Sequence, residues 1–214
     1  MQVDRRKSAM KPSYTFYRFF YCLARAAISI VYWVKVSGKE NIPEGAALVC
    51  SNHSSLVDPF LIAFAFGLKT HMHFIAKVEL YKIPVVSQVL KKLGCISVNR
   101  GILDGTTIKS TFGYLKKNEK VMIFPEGTRT QEDDSVSAKS GAVKLAEHTG
   151  ASLVPVFIPR KKPLFRRVPL VIGLPYQVEK LKKKRAPDEY LKLADDLMDR
   201  IKALNPHAHE GGFE

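Results

Sequence analysis

The sequence predicts an α/β fold with a largely parallel central sheet and helices on both faces, preceded by an N-terminal amphipathic helical membrane-contact segment. Three observations lead there. Short, nearly continuous apolar runs recur from residue 46 onward, each bounded by glycine, proline or polar residues, as strands buried on both faces do. Longer stretches with apolar residues at helical spacing alternate with them, and several end in glycine. A repeated strand-helix order of this kind is the pattern of parallel βαβ units.

Taken in order, Ala46 to Ser51 reads as a buried strand and Ser55 to Phe66 as an apolar helix stopped by Gly67. His73 to Ala76 is a short strand. Glu79 to Leu93 follows as a helix interrupted by Pro84 and stopped by Gly94. Cys95 to Val98 and Val121 to Phe124 are strands on either side of a helix over Thr107 to Lys117. Lys139 to His148 is a helix, Ser152 to Ile158 a strand, and Val168 to Leu174 a further strand. Pro187 to Leu204 carries Tyr190, Ala194, Leu197, Ile201 and Leu204 on one helical face. The expected organisation is a membrane-contact segment over residues 1–36, a domain over 37–204 and a flexible tail over 205–214.

At 214 residues and 46% apolar composition, one domain with a full core is expected. Cys22, Cys50 and Cys95 are scattered and odd in number, which argues against a disulfide framework. Cys50 and His53 have the spacing of half a zinc site, but no second pair answers them, and no metal is expected. The formal charge of +14 is concentrated: residues 1–36 hold seven Lys/Arg against one acid, and residues 159–185 hold ten against one. Such patches attract anionic lipid, nucleic acid or an acidic protein.

The segment Tyr14 to Lys35 is rich in aromatic and apolar residues but is interrupted by Arg18 and Arg25. Each would cost ~2.5–3.5 kcal/mol at a bilayer centre, so a helix lying in the interface is expected rather than a span. The same pattern also suits an aromatic helix packed on the domain.

In a parallel sheet, ligands bind beyond the carboxyl ends of the strands. This brings Asn52-His53, Lys77, Arg100 and Glu126-Gly127 to one edge. His53 and Asp58 stand five apart, and positions five apart on a helix diverge by ~140°, so they converge only if His53 lies at the irregular helix entrance. Asn52, Ser54 and Ser55, which are N-cap residue types, suit such an entrance. On these residues alone, His53 is either a general base oriented by Asp58 or a hydrogen-bonded structural histidine. After the strand Val121 to Phe124, the turn Pro125-Glu126-Gly127-Thr128-Arg129 offers Arg129 at a loop tip, where its forked donors match a phosphate. Arg100 and Lys77 follow two other strands. Three cations beside a His/Asp pair suit proton removal from a hydroxyl whose phosphate is held. No G-x-S-x-G, P-loop or G-x-G-x-x-G motif is present, which disfavours serine hydrolase, nucleotidase and dehydrogenase chemistry.

Four motifs in order resemble those of the glycerolipid acyltransferases of the 1-acyl-glycerol-3-phosphate acyltransferase type. They are Asn52-His53-x4-Asp58, Gly94-Cys-Ile-Ser-Val-Asn-Arg100, Phe124-Pro-Glu-Gly-Thr-Arg129 and Val154-Pro155-Val156. The resemblance implies His53 as base for a glycerol hydroxyl, Asp58 as its orienting acid, and attack on an acyl thioester without a covalent acyl-enzyme. It implies Arg129 as the phosphate-binding residue, with Lys77 and Arg100 helping. Asn52, Ser54, Glu126, Gly127 and Thr128 would shape the site. Asn99, Ser97 and Ala138 depart from residues common in the family. The implied product is phosphatidic acid, and no cofactor is expected beyond a thioester co-substrate on coenzyme A or acyl carrier protein. The implied place is the cytoplasmic face of the cell membrane, held peripherally or monotopically, with lysophosphatidate and anionic lipid as partners. An acyl carrier protein is a further partner expected at the basic segment, and nucleic acid is not. Two alternatives remain: another acceptor on the same fold, or a non-catalytic basic module that binds anionic lipid.

Overall fold

The computed structural model describes residues 12–99, 104–130, 138–181, 183 and 185–206. The basic residues of positions 1–11, Arg100 and positions 207–214 of the expected tail lie outside the described residues.

Seven strands form one sheet in the order β1-β7-β6-β2-β5-β3-β4. They are β1 (Tyr32–Ser37), β2 (Ala47–Ser51), β3 (Met72–Lys77), β4 (Ile96–Val98), β5 (Lys120–Ile123), β6 (Ser152–Phe157) and β7 (Arg166–Ile172). Every neighbouring pair is parallel except β6 with β7, which reverses at Val156 opposite Ile172. The helices are α1 (Tyr14–Val31), α2 (Asp58–Phe66), α3 (Pro84–Lys92), α4 (Gly105–Leu115), α5 (Gly141–Thr149) and α6 (Pro187–Ala203).

The apolar runs become central strands because alternate side chains serve opposite cores. Leu48 and Cys50 of β2 pack with Val121, Ala142, Leu145, Leu197 and Ile201, under the α4, α5 and α6 side. Ala47 and Val49 face the other way, toward Leu61, Ile62 and Phe66 of α2 and Leu170 of β7. A third cluster joins Tyr17 and Tyr21 of α1 to Ala63 of α2 and to Leu93. Pro84 starts α3 and does not merely kink a longer helix, since a 3-10 turn over Val78–Lys82 precedes it.

The expected boundary at residue 36 is corrected. Tyr32 to Ser37, read from sequence as part of the membrane-contact segment, is a strand that runs parallel along β7 from Tyr32 opposite Arg166 to Ser37 opposite Val171. Tyr32, Val34 and Val36 turn inward against the core. The segment therefore divides at Val31: a helix before it, a sheet edge after it. The helix packs on the domain through the buried Tyr17 and Tyr21, while Phe19, Leu23 and Ile30 are exposed.

The turn after β1 depends on Gly38. Its φ is +76°, and a Cβ there would stand 2.0 Å from the Ile172 carbonyl oxygen, where Asn41 Nδ2 also donates at 2.9 Å. Gly38→Ala should therefore destabilise the protein by ~2 kcal/mol or more, lowering the thermal midpoint by roughly 4–8 °C. Gly113→Ala, in open space within α4, should be neutral or stabilising by up to ~1 kcal/mol. Thermal melts of the two variants check this; a Gly38→Ala midpoint equal to wild type would disprove the close approach.

Candidate active site

The strands of the parallel part end together, and their exits build the site. Beyond Ser51 of β2 the chain leaves regular structure, and α2 begins only at Asp58, three residues later than the sequence suggests. The cause is Asp58 itself. Its Oδ2 accepts the backbone N–H groups of Ser54 and Ser55, both at 2.8 Å, and so closes the turn back on the helix start. His53 therefore lies in the loop before α2. Its Nδ1 donates to Asp58 Oδ2 at 3.0 Å, which leaves the Nε2 lone pair available to a substrate. The five-residue spacing works because only Asp58 is helical. The imidazole is fixed in a second way by Phe124, whose ring stacks on it with centroids 3.9 Å apart and planes 16° apart.

The expected capping roles of Asn52 and Ser54 are not what these side chains do. Asn52 clamps the exit of β6, donating to the Ile158 carbonyl at 2.7 Å and accepting the Ile158 N–H at 3.1 Å. Ser54 Oγ donates to the Arg160 carbonyl at 2.9 Å. Both tie the β2 exit to the chain beyond β6, so they shape the site across the sheet.

Two cations that the sequence reading placed in a surface patch turn inward here. Lys162 Nζ stands 2.9 Å from Asp58 Oδ1 and donates to Ser54 Oγ at 2.7 Å. Its side chain is 3% exposed, and that of Asp58 is fully buried. Arg160 grips the equally buried Glu126 at 2.6 Å and donates to the Thr130 carbonyl at 2.8 Å. Glu126 in turn accepts the His53 N–H at 3.3 Å, and the Thr130 N–H donates to the His53 carbonyl at 2.9 Å. His53 is held through both backbone groups as well as its ring. The sequence signal for Arg160 and Lys162 was their place just after a strand's carboxyl end, in Ile158-Pro-Arg-Lys-Lys162.

Burial alone would raise the Asp58 pKa, but the hydrogen bond from His53, the Lys162 ammonium and the Ser54 N–H outweigh it and hold the carboxyl below its ordinary value. Since the folded state is the stronger acid, this group stabilises the fold above the usual aspartate pKa. That contribution is lost as pH falls through the lowered native value.

A cavity of about 1300 Å3 opens from His53. Its walls include Tyr17, Phe20 and Phe64 near α1 and α2, and Lys77, Thr128 and Arg129 also line it. The structure thus brings His53, Lys77 and Arg129 around one space. Arg129 and Thr128 are exposed on their loop. Gly127 has φ +67°, and a Cβ there would meet the Lys139 side chain at 2.9 Å, so glycine lets Lys139 lie across the turn. Lys139 lines the cavity too and is a cation that the sequence reading missed. Cys50, the supposed half of a zinc site, is fully buried in the core and donates to the Leu48 carbonyl.

A sequence model of the acyltransferase family matches residues 33–159. The chain is 33% identical over 196 residues to a 1-acyl-sn-glycerol-3-phosphate acyltransferase of Bacillus subtilis, with 88% of this chain and 96% of that protein covered. A protein of the same name from Borreliella burgdorferi is 32% identical over 147 residues, covering 65% of this chain and 58% of the relative. The crystal structure of a 1-acyl-sn-glycerophosphate acyltransferase from Thermotoga maritima superposes with a TM-score of 0.61 at 28% identity, covering 89% of this chain and 80% of that one. The matched stretch holds β2 through β6 with the His53-Asp58 pair, the Glu126 loop and much of the cavity wall, and the chain belongs to the acyltransferase family.

Proposed function

We propose that the protein transfers a fatty acyl chain from an acyl thioester to the free hydroxyl of 1-acyl-glycerol-3-phosphate, giving phosphatidic acid for phospholipid synthesis. The observation that carries this reading is the His53-Asp58 pair, with its free ring nitrogen, at an apolar cavity that Lys77 and Arg129 also line. His53 Nε2 takes the hydroxyl proton as the oxygen attacks the thioester carbonyl carbon. The C–S bond then breaks, and the thiolate leaves with the proton returned by the imidazolium. Asp58 fixes the ring and offsets its transient charge.

Arg129 binds the substrate phosphate, with Lys77 beside it. Arg100 has the same proposed role from outside the described residues. Holding the phosphate orients the hydroxyl toward His53, and orientation of this kind can supply ~7–11 kcal/mol of a barrier. The cavity exceeds the ~300–1,000 Å3 of a small-molecule pocket, which suits acyl chains beside a headgroup. The acyl group arrives on coenzyme A or on acyl carrier protein; the exposed Lys161, Arg166 and Arg167, on the chain that follows β6, offer positive charge to either anionic donor.

The substrate stays in the bilayer because each buried methylene contributes ~0.8 kcal/mol, so the enzyme has to meet it there. Among the described residues no helix is long and apolar enough to cross a membrane. Phe19, Leu23 and Ile30 recur at helical spacing on α1 and are 58–68% exposed, while Tyr17, Phe20 and Tyr21 line the cavity on its other side. One helix thus faces both the lipid surface and the site, a geometry suited to peripheral attachment at the cytoplasmic face of the cell membrane.

His53→Ala and Asp58→Asn should each lower kcat with thioester and lysophosphatidate by ~10²-fold or more while vesicle binding persists. Lys162→Met should lower stability by ~3–5 kcal/mol, because it leaves a buried carboxylate without its cation. Near-wild-type turnover in His53→Ala would remove the proposed base. Arg129→Ala should raise KM for the phosphorylated acceptor far more than for monoacylglycerol; an equal effect on both would refute the phosphate role. Phe19→Asp with Leu23→Asp should weaken binding to vesicles of anionic phospholipid at least tenfold while leaving turnover of a short-chain, water-soluble acceptor intact. Sedimentation with vesicles measures this, and unchanged binding would place the membrane contact elsewhere.

A further inference from the structure

A second cluster of chemistry-bearing side chains lies at the opposite end of the sheet. His71 and His73 are two residues apart where β3 begins, and residues so spaced on a strand share a face. Glu119 immediately precedes β5, whose Lys120 pairs with Met72. Because β2, β3 and β5 run parallel, this group sits at the amino ends of strands whose carboxyl ends carry the site of His53. One ligand atom from each of the three residues can be chosen so that all lie within 4.8 Å of one another.

Their hydrogen bonding leaves room for a ligand. His71 is 7% exposed, and neither of its ring nitrogens makes a hydrogen bond of normal length, although the Leu93 backbone lies close enough to favour its charged form. An unsatisfied buried polar group costs ~1–3 kcal/mol, so such a group calls for a ligand. His73 is fully buried, and both of its nitrogens face acceptors. Nδ1 is 2.9 Å from the Gly94 carbonyl oxygen and Nε2 is 2.9 Å from a Glu119 carboxylate oxygen. A neutral imidazole donates through one nitrogen only, and an imidazolium through both, so an ion taking the Nε2 position would replace a proton shared with Glu119. Burial favours the neutral ring in both residues. In His71 it acts with the neighbouring His73 and Lys117, against Glu119 and the Leu93 backbone, and in His73 with Lys117 against the Gly94 hydrogen bond; both pKa values fall to about 4.

A cation between the rings gives His71 the partner it lacks. With Nδ1–H of His73 donating to Gly94, the Nε2 lone pair is directed at Glu119, which is the arrangement of a metal-bound histidine oriented by a backbone carbonyl. Glu119 Oε1 is 3.9 Å from His71 Nδ1, and donors around a tetrahedral zinc are ~3.3–3.5 Å apart at bond lengths of ~2.0–2.2 Å. Small side-chain shifts therefore close the site. The Glu119 side chain is 24% exposed, which gives an ion a way in from solvent.

We propose that His71, His73 and Glu119 bind a divalent transition-metal ion of the zinc type, with water completing the coordination. Two imidazoles and a carboxylate favour such an ion over calcium or magnesium, which prefer oxygen ligands. Its role is structural. Tyr14 and Tyr17 of α1 pack on the His71 ring at centroid distances of 4.9 and 4.4 Å, and Tyr114 of α4 stacks on His73 at 3.5 Å. An ion here would fix β3, the turn before β5 and the first turn of α1 to one another. Neither the acyl-transfer chemistry nor the phosphate contacts use any of these residues.

The test loads the full-length protein, after dialysis against a chelator, with zinc chloride or cobalt chloride and measures bound metal by elemental analysis. Wild type should retain one equivalent per chain, show cobalt absorption of a histidine-ligated ion, and melt at a higher temperature with zinc than without. Glu119→Gln and His71→Gln should each weaken zinc binding by roughly 100-fold. In both variants, metal-free melting and His53-dependent turnover should stay near wild type. Glu119 is partly exposed, so its variant is informative even where substitution of a buried histidine impairs folding. No retained metal in wild type, or equal retention in wild type and Glu119→Gln, would overturn the site.

Discussion

The active site depends on two buried carboxylates and the two cations that neutralise them. Taking an ion out of water costs several kcal/mol even after relaxation, so Asp58 and Glu126 could not remain charged in the interior alone. Lys162 and Arg160 offset that cost, and backbone N–H groups occupy the remaining acceptor positions. With both charges held, His53 is fixed by its ring, its N–H and its carbonyl at once. The geometry around His53 thus belongs to a network joining the exits of β2, β5 and β6, and the His-Asp pair is only part of it.

The same packing logic explains why α1 carries apolar residues on two sides. Tyr17 and Tyr21 anchor α1 on the domain, and the hydroxyl of Tyr17 donates to the Thr70 carbonyl at 3.3 Å. This leaves the apolar residues Phe19, Leu23 and Ile30 on the outer side. An amphipathic helix in water usually has one apolar stripe, directed at the core. A second stripe directed outward is the feature on which the proposed attachment to a lipid interface rests.

Much of the fold was legible because strands buried on both faces leave apolar runs and helices ending in glycine leave stops. The strands from β2 to β7 were each anticipated within a residue or two. β1 was not, since Tyr32, Val34 and Val36 alternate inside a stretch whose aromatic density resembles the helix before it. Its identity depends on β7, more than a hundred residues later. His53, Asp58, Lys77 and Arg129 could be assigned to one edge from strand polarity alone. Arg160 and Lys162 could not, because a charge count treats a lysine as solvated. What buries these two is pairing with groups far away in sequence, 34 residues for Arg160 with Glu126 and 108 for Lys162 with Ser54. Asn52 was read as a local cap for the same reason: its partner, Ile158, is 106 residues away.

The antiparallel pairing of β6 with β7 sets how this site can vary. A parallel successor to β6 would have to carry the chain to the far end of the sheet before returning. The reversal instead keeps residues 158–165 at the carboxyl edge, as a short connection that presents both neutralising cations from one span. Insertions there would displace Arg160 and Lys162 together and leave two interior carboxylates without counter-charges. Variation in substrate preference is therefore expected to enter through the cavity walls, while the length of this connection stays fixed.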